Sequence, residues 1–367
     1  MKKLRGMVYT DKCVFEPCEL TVEGNKITSV KSGVQLNDEE RGVMIIPGLV
    51  DIHSHGCVGH DTCDADPAGL KEMLDYEQSH GTTSYLPTTM TYSEEILDNI
   101  MKAIAKVESP VLKGIYLEGP FISVKKKGAQ NEKYIMKPDI EMLRRLNKTS
   151  GGLVKVVAIA PEEEGAMECI KAGKDEFKFS IAHTMADYDI AKEAIENGAN
   201  HVTHLYNAMP AYSHRAPGVI GAAADDDTTR VELICDGIHV HEAVIRNTFK
   251  WFGDERVILI SDSMEATGMP NGIYSLGGQT VYMENRKATL EDGTIAGSAS
   301  NLMDCLKHVI NIGIPMETAI AAATRNPAKE VGIYDRVGSI EEGKLSEVLI
   351  MDKDFELKKV IMSEEDI

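Results

Sequence analysis

The stretch Asp51-Ile-His-Ser-His-Gly56 follows the apolar run at residues 43–50 and indicates a metal site at the end of a strand. Side chains two positions apart on a strand lie on the same side, so the imidazoles of His53 and His55 can converge on one cation. Gly56 then lets the backbone turn away. We therefore expect further metal ligands, a general base and substrate-binding groups at the ends of neighbouring strands.

The composition excludes several classes of partner. The 367 residues carry a net charge of −19 and are 43% hydrophobic. A surface that binds nucleic acid or anionic lipid needs an excess of Lys and Arg to neutralise phosphates, and this chain has the opposite balance. No apolar stretch reaches the roughly 18–20 residues of a membrane span, and the first residues lack the apolar block of a signal peptide. We expect a cytoplasmic protein with no nucleic-acid or membrane partner.

The seven cysteines are scattered along the chain and include no CxxC pair. An odd and scattered set predicts reduced thiols rather than a disulfide framework. Cys57 and Cys63 flank the His-x-His motif, but zinc thiolate sites usually have tighter spacing. We therefore expect these two thiols not to bind the metal.

Both ends of the chain have the pattern of short strands separated by turn signals. The predicted strands lie at residues 6–9, 18–22, 26–30 and 43–46 and, after the turn-rich residues 338–344, at 348–351 and 357–362. We expect residues 1–48 and 339–367 to pair into one small β-sandwich domain.

Between the two ends, predicted strands alternate with predicted helices. The first strand precedes His53, and the others lie at residues 84–87, 114–117, 154–160, 178–182, 202–204, 231–235 and 257–260; the first two helices are predicted at residues 67–80 and 93–107. Eight strands interleaved with helices predict a (β/α)8 TIM barrel of the metal-dependent hydrolase type over residues 49–338. In such barrels the active site lies at the C-terminal ends of the strands.

Polar residues follow these strands in a pattern that indicates a catalytic metal site. Glu118, His183 and His204 each follow an apolar strand of their own. One carboxylate and two imidazoles form a typical catalytic zinc set with one position open for water, and the same ligands suit iron, manganese or cobalt. His53 and His55 can hold a second cation beside the first, with Glu118 as the bridge, although the pair can also hold a single metal or none.

Asp262 ends the last predicted strand of the barrel, where a carboxylate can reach a water on the metal. We predict that it acts first as general base and then as general acid. The alternative is a carboxylate that only binds the metal or holds a histidine.

Six motifs then carry a family resemblance. They are Leu117-Glu-Gly-Pro-Phe121, Lys126-Lys-Gly-Ala-Gln130, Thr203-His-Leu-Tyr-Asn-Ala-Met-Pro210, Arg215-Ala-Pro-Gly218, Asp236-Gly-Ile-His239 and Gly293-Thr-Ile-Ala-Gly-Ser298. In their order and their residue sequences, the motifs resemble those of the amidohydrolase superfamily and, within it, the N-acetylglucosamine-6-phosphate deacetylase family. The resemblance implies hydrolysis of the acetamide of an N-acetylhexosamine 6-phosphate, with one or two divalent cations, most often zinc or iron.

The resemblance also implies substrate contacts and an assembly. The substrate-binding positions are Ala129, Gln130, Asn207, Ala208, Arg215, His239, Ala296, Gly297 and Ser298. The planar guanidinium of Arg215 suits a phosphate, and by resemblance it reaches the neighbouring site of a homodimer. Some members of the family have histidine where this chain has Gln130, which cannot become cationic. We therefore expect a second cation at His53 and His55 to supply the lost carbonyl polarisation.

The sequence leaves three alternative functions to compare with this one. N-acetylgalactosamine 6-phosphate is an alternative substrate. Enzymes of the superfamily that open cyclic amides usually carry a carbamylated lysine as the bridging ligand, and Glu118 at that position disfavours them. A non-catalytic binding barrel is disfavoured because such a protein is expected to have lost ligands or the base, and Glu118, His183, His204 and Asp262 are all present.

Overall fold

The computed structural model describes residues 1–367 as nineteen strands and eleven α-helices. The strands are β1 (Lys2–Tyr9), β2 (Phe15–Glu23), β3 (Lys26–Ser32), β4 (Met44–Pro47), β5 (Leu49–Ser54), β6 (Gly56–Cys57), β7 (His60–Asp61), β8 (Thr82–Thr89), β9 (Ile115–Leu117), β10 (Val154–Ile159), β11 (Lys178–Ile181), β12 (His201–Val202), β13 (Arg230–Ile234), β14 (Val257–Ile260), β15 (Gly272–Leu276), β16 (Gln279–Glu284), β17 (Lys287–Thr289), β18 (Val348–Met351) and β19 (Leu357–Ile361). The helices are α1 (Asp38–Arg41), α2 (Pro67–Ser79), α3 (Glu94–Ile104), α4 (Ile140–Thr149), α5 (Ala166–Gly173), α6 (Tyr188–Glu196), α7 (Gly218–Asp225), α8 (Glu242–Arg256), α9 (Leu302–Asn311), α10 (Met316–Ala323) and α11 (Arg325–Glu330).

Eight of the strands form a barrel. They pair side by side in the order β5, β8, β9, β10, β11, β12, β13, β14, and every pair is parallel. The two end strands meet just beyond β14, where the His55 N–H donates to the Ser263 carbonyl at 2.8 Å and the Asp262 N–H donates to the His53 carbonyl at 2.9 Å. Helices connect most of the strands. The predicted (β/α)8 fold is therefore confirmed.

Apolar side chains fill the interior of the barrel. One buried cluster contains Val50, Ile52, Leu86, Tyr116, Val156, Ala158, Ala182, Ile234, Ile258 and Ile260, all from the barrel strands or the residues directly after them. Ala328 in α11 and Val331 after it belong to the same cluster. Because this interior is packed with side chains, a substrate can reach the barrel only at the ends of its strands.

The first two helices of the barrel follow the sequence prediction closely. Asp66 caps α2 by accepting a hydrogen bond from the Ala68 N–H, and Pro67 occupies the first helical position, where a missing N–H costs nothing.

No helix combines the length and the apolar character that crossing a lipid bilayer requires. All seven cysteines are free thiols, as the sequence predicted.

The two ends of the chain form a second sheet, ordered β19, β18, β4, β1, β2, β3. Only β1 and β4 pair in parallel. The six strands form one continuous sheet rather than two separate layers, and it curves over an apolar core of its own. The curvature brings distant residues together: the Glu364 N–H donates to the Gly24 carbonyl at 2.6 Å, and the Ile27 N–H donates to the Lys344 carbonyl at 3.0 Å. The prediction that both chain ends contribute to one separate sheet is thus confirmed.

The sequence did not predict the three-stranded sheet of β15, β16 and β17, which follows the last barrel strand. Its turn at Gly277-Gly278 uses positive φ angles of 58° and 76°, which glycine adopts without strain. The apolar side of the sheet packs on Met90, Met264 and Ala296. This sheet therefore forms one wall beside the C-terminal ends of the barrel strands.

Candidate active site

The predicted metal ligands meet at the C-terminal ends of the barrel strands. They are all buried, with exposed fractions of 0% for His53, 2% for His55, 3% for Glu118, 6% for His183 and 4% for His204. Glu118 lies at the centre of this cluster. The parallel strands explain the convergence, because their carboxyl ends all point to the same end of the barrel.

The carboxylate of Glu118 contacts all four imidazoles through different oxygens. Its Oε1 lies 2.9 Å from His204 Nε2, 3.2 Å from His183 Nε2 and 3.5 Å from His53 Nε2. Its Oε2 lies 3.2 Å from His55 Nε2. Burial raises the pKa of Glu118, but the charges of His183 and His53 outweigh burial and hold the pKa well below its usual value. The residue is therefore an ionised carboxylate that lies among all four imidazole nitrogens.

Two overlapping sets of side chains fit a cation. In the set Glu118, His183, His204 and in the set His53, His55, Glu118, the ligand atoms lie within 4.8 Å of one another. Two ligands that are each about 2.0–2.1 Å from a tetrahedral cation lie about 3.4 Å apart. The 3.1 Å between the Nε2 atoms of His183 and His204 is close to that value. His53 Nε2 is buried without a hydrogen-bond partner, so it is available to bind a metal.

Three of the four imidazoles are oriented by an acceptor at the other ring nitrogen. His55 Nδ1 lies 3.3 Å from the Thr88 carbonyl, and His183 Nδ1 lies 2.8 Å from the Lys126 carbonyl. His53 Nδ1 lies 2.9 Å from Oε2 of Glu232. A hydrogen bond of this kind fixes the tautomer that leaves Nε2 free for a metal.

Asp262 stands beside the second set of ligands. Its Oδ1 lies 3.4 Å from His55 Nε2 and 3.5 Å from His53 Nε2. Burial raises the pKa of Asp262, but the hydrogen bond from His55 and the charge of His53 bring the pKa below its usual value. The backbone is fixed as well, because the Ser298 N–H donates to the Asp262 carbonyl at 2.7 Å. An ionised, fixed carboxylate here can accept a proton from water.

Several of these residues adopt a left-handed backbone. The φ angles are 43° at His183, 27° at His204, 49° at Asp262 and 52° at Ala208. Such angles cost free energy for residues with a Cβ atom, on the order of 1–3 kcal/mol each, and they concentrate at functional sites. The surrounding structure here imposes these angles at residues that the sequence predicts to form the site.

These residues form the floor of a cavity of ≈ 400 Å³. The predicted residues that line it are His55, Glu118, Ala129, Gln130, His183, His204, Asn207, Ala208, His239, Asp262 and Gly297. His239 donates its Nδ1 proton to Asp236 at 2.8 Å, which leaves Nε2 for a ligand. The structure thus brings most of the predicted metal and substrate residues to one cavity.

Four predicted residues do not line this cavity. His53 lies behind it with no exposed surface. Ala296 and Ser298 are buried in its wall, on either side of Gly297. Arg215 is exposed on the loop before α7 and does not line the cavity of its own chain.

Gln130 is buried, with both ends of its side-chain amide bound to protein groups. Its Nε2 donates to Glu118 Oε2 at 2.6 Å, and its Oε1 accepts the Thr91 N–H at 2.7 Å. The residue expected to bind substrate therefore also holds the bridging carboxylate.

Three features of the site were not predicted from the sequence. Lys125 and Lys126 line the cavity, and the run of three lysines in a chain of net charge −19 was the available signal. Glu232 is fully buried behind His53, and the signal was a charged residue inside the apolar strand β13. The third feature is the wall made by β15 to β17, which contributes Leu276 to the cavity.

Comparison with known proteins places the chain in a family. The model of the amidohydrolase family matches residues 44–365. The N-acetylglucosamine-6-phosphate deacetylase of Bacillus subtilis (strain 168) is 41% identical over 324 residues, which cover 86% of this chain and 82% of the relative. The N-acetylgalactosamine-6-phosphate deacetylase of Escherichia coli O157:H7 is 32% identical over 330 residues, which cover 88% and 87%.

The same relationship holds for a solved structure. A mutant of the N-acetyl-D-glucosamine-6-phosphate deacetylase of Mycobacterium smegmatis, in complex with N-acetyl-D-glucosamine-6-phosphate, aligns with a TM-score of 0.93 at 29% identity. The alignment covers 99% of this chain and 98% of that chain. The chain therefore belongs to the amidohydrolase family and, within it, to the N-acetylglucosamine-6-phosphate deacetylases.

Proposed function

We propose that the chain hydrolyses the acetamide of N-acetyl-D-glucosamine 6-phosphate to D-glucosamine 6-phosphate and acetate, a step of amino-sugar catabolism and recycling. The observation that carries this proposal is the position of Glu118 between two pairs of imidazoles, with Asp262 beside it, on the floor of one cavity. Lys125 and Lys126 line the same cavity and supply positive charge for a phosphate.

Glu118, His183 and His204 would hold the primary divalent cation. When bound, a cation supplies Lewis acidity, which lowers the pKa of water and polarises the amide carbonyl. Asp262 accepts a proton as water oxygen attacks the carbonyl carbon. When the carbon–nitrogen bond breaks, the same carboxyl returns that proton to the nitrogen, and the products are the amino sugar phosphate and acetate. One residue thus serves both halves of the reaction.

A second cation is proposed at His53, His55 and Glu118, and zinc or iron is the expected metal at both positions, with manganese or cobalt as alternatives. Support comes from the buried His53 Nε2, which has no hydrogen-bond partner and faces Glu118 and Asp262. Replacing both histidines by Asn and measuring bound metal and turnover tests this point. Unchanged metal content and unchanged turnover would contradict it.

The phosphate is proposed to bind near Lys126 and His239 and to meet Arg215 from a second copy of the chain. Arg215 is exposed, lies outside the cavity of its own subunit and follows Tyr212 on the same loop. Tyr212 and Trp251 form an aromatic pair with 49% and 46% of their surfaces exposed. An exposed aromatic pair is typical of a protein interface, which supports a homodimer.

An acetate-release assay tests the proposed reaction. The substrates are the N-acetyl forms of glucosamine 6-phosphate and galactosamine 6-phosphate and both sugars without phosphate, added to protein of measured metal content. We expect the glucosamine phosphate to be the best substrate and the unphosphorylated sugars to react poorly. Equal rates with and without phosphate would contradict the proposal, and a preference for the galactosamine phosphate would favour the alternative substrate. The free thiols agree with a cytoplasmic location.

A further inference from the structure

Glu232 is a buried carboxylate that contacts both predicted metal sites from behind. It lies in the middle of β13, has no exposed surface, and follows and precedes the buried apolar residues Val231 and Leu233. Its Oε2 accepts a hydrogen bond from His53 Nδ1 at 2.9 Å and one from the His204 backbone N–H at 3.2 Å. Its Oε1 lies 2.8 Å from His201 Nε2. The carboxylate thus has three polar partners.

The contacts continue away from the cavity to the opposite end of the strands. His201 begins β12, is fully buried, and places its Nδ1 3.0 Å from Oε1 of Glu330 at the end of α11. Glu330 is in turn bound by Arg230 at 2.7 Å and by Lys178 at 3.3 Å. Both ring nitrogens of His201 therefore face carboxylate oxygens, so the ring carries both protons and lies as a cation between two anions.

A buried row of charges of this kind is costly unless every member is paired. An apolar residue at position 232 would pack among the neighbouring barrel side chains without that cost. The row ends at His53, whose Nε2 faces Glu118 and Asp262 at 3.5 Å each. Because the row of charges ends at His53, its function concerns His53 and not packing alone.

His53 differs from the other histidines of the cluster in the charge of its partner. His55 and His183 donate from Nδ1 to neutral backbone carbonyls. His53 donates to the carboxylate of Glu232. A carboxylate partner fixes the ring orientation and makes Nε2 a stronger ligand than a neutral partner does. This bond also compensates for the burial of the ring.

We propose that Glu232, held in place by His201, is a positioning residue that sets the affinity of the second cation site through His53. The inference rests on the proposed second cation at His53 and His55. Glu232 touches neither substrate nor reacting atoms, so it acts only through the imidazole.

The variant Glu232→Gln tests this role because it preserves the shape of the side chain. Its amide oxygen can still accept from His53 and from the His204 N–H, whereas the negative charge is lost. We expect the metal-free variant to bind its first Zn²⁺ with nearly the wild-type affinity and its second Zn²⁺ roughly 10- to 100-fold more weakly. Calorimetric titration of Zn²⁺ into metal-free protein measures both affinities, and metal analysis after dialysis gives the stoichiometry.

Two further variants serve as a matched control and as a second test of the same contact. Glu347→Gln is the matched control, since Glu347 is a buried carboxylate paired with Lys113 at 2.7 Å and is not in contact with a ligand histidine. It should lower the melting temperature of the metal-free protein without changing either Zn²⁺ affinity. His201→Leu removes the hydrogen-bond donor that holds Glu232 in place and should weaken the second affinity in the same direction, which provides a second measurement if Glu232→Gln fails to fold.

The outcomes separate this inference from the proposed function. A folded Glu232→Gln variant with a wild-type second affinity would overturn the inference, as would equal loss at both sites, which is what a purely structural role predicts. Wild-type protein that binds one Zn²⁺ would overturn both the second cation and the inference. Acetate release by that protein would still support the deacetylase function.

Discussion

Gln130 donates its side-chain amide to Oε2 of Glu118 at 2.6 Å, the same oxygen that lies 3.2 Å from His55 Nε2. Its amide oxygen is also engaged, because it accepts the Thr91 N–H at 2.7 Å. Both ends of the side chain thus hold protein groups in place. A histidine at this position that polarised a substrate carbonyl would have to face the substrate instead. Holding Glu118 and polarising the substrate are therefore competing roles for residue 130.

Replacing Gln130 by Ala separates these roles. The change leaves the buried Thr91 N–H and one Glu118 oxygen without a partner, so the free energy of unfolding should fall by about 1–3 kcal/mol. We expect kcat to fall while KM changes little, because the bridging carboxylate is displaced and the substrate contacts remain. Denaturant unfolding and steady-state kinetics measure the two effects. A rise in KM with kcat unchanged would indicate a substrate-binding residue instead.

Asp262→Asn should reduce kcat by roughly 10²- to 10⁴-fold, because the amide cannot accept the proton from water. Metal content should stay at the wild-type value if the carboxylate acts as base. A loss of bound metal together with activity would show instead that Asp262 serves mainly as a ligand. Elemental analysis of the purified variant distinguishes the two roles.

The barrel, and the cluster of side chains proposed as metal ligands, could be predicted from the sequence because both leave local patterns. Each ligand follows an apolar strand, as Glu118 follows β9, and the ends of parallel strands must converge. The strand boundaries differ from the prediction: the strand expected at residues 202–204 is β12 at His201–Val202, because His204 leaves the extended conformation to reach the cluster.

The residues that were missed depend on contacts between distant parts of the chain. The only local sign of Glu232 is a charged residue inside the apolar strand β13, and its role depends on meeting His53, which is 179 positions away. The sheet of β15 to β17 was missed because its strands are short and joined by glycine turns, which are also typical of loops.

Lys125 provides a test of phosphate recognition within one subunit. Its side chain is exposed and lines the cavity, whereas Lys127 does not line the cavity and lies 3.4 Å from Glu132. Lys125→Ala should raise KM for the phosphorylated sugar by about tenfold and leave kcat nearly unchanged, because a charge-assisted contact to phosphate is lost. Lys127→Ala is the matched control and should leave KM unchanged. Equal effects of the two variants would argue against a specific contact.

Glu330 gives the protein a pH-dependent contribution to stability. Burial raises its pKa, but the hydrogen bond from His201 and the charges of Lys178 and Arg230 lower the pKa from 4.5 to about 2. A carboxyl with a lowered folded-state pKa stabilises the protein fully above pH 4.5, and this contribution is lost as the pH falls toward 2.

Glu330→Gln should therefore cost about 3 kcal/mol of unfolding free energy at pH 7. The difference from wild type should shrink by about 1 kcal/mol at pH 3.5, since the unfolded wild-type chain then binds a proton at Glu330 while the folded protein does not. Denaturant unfolding of both metal-free proteins at the two pH values measures this, and the absence of metal removes any contribution from its release. A difference that is constant with pH would mean that Glu330 contributes through packing.

Arg215 and Asp262 allow a test of whether active sites are shared between subunits. If Arg215 serves the site of the second copy, the single variants Arg215→Ala and Asp262→Asn should both have low activity on the phosphorylated sugar. A heterodimer of the two, purified after co-expression with two different tags, contains one site with both an intact Asp262 and an intact Arg215. It should recover about half of the wild-type activity, because one of its two sites is complete. Activity no higher than that of the separate variants would mean that Arg215 acts within its own subunit or not at all, and a monomer in light-scattering measurements would exclude sharing directly.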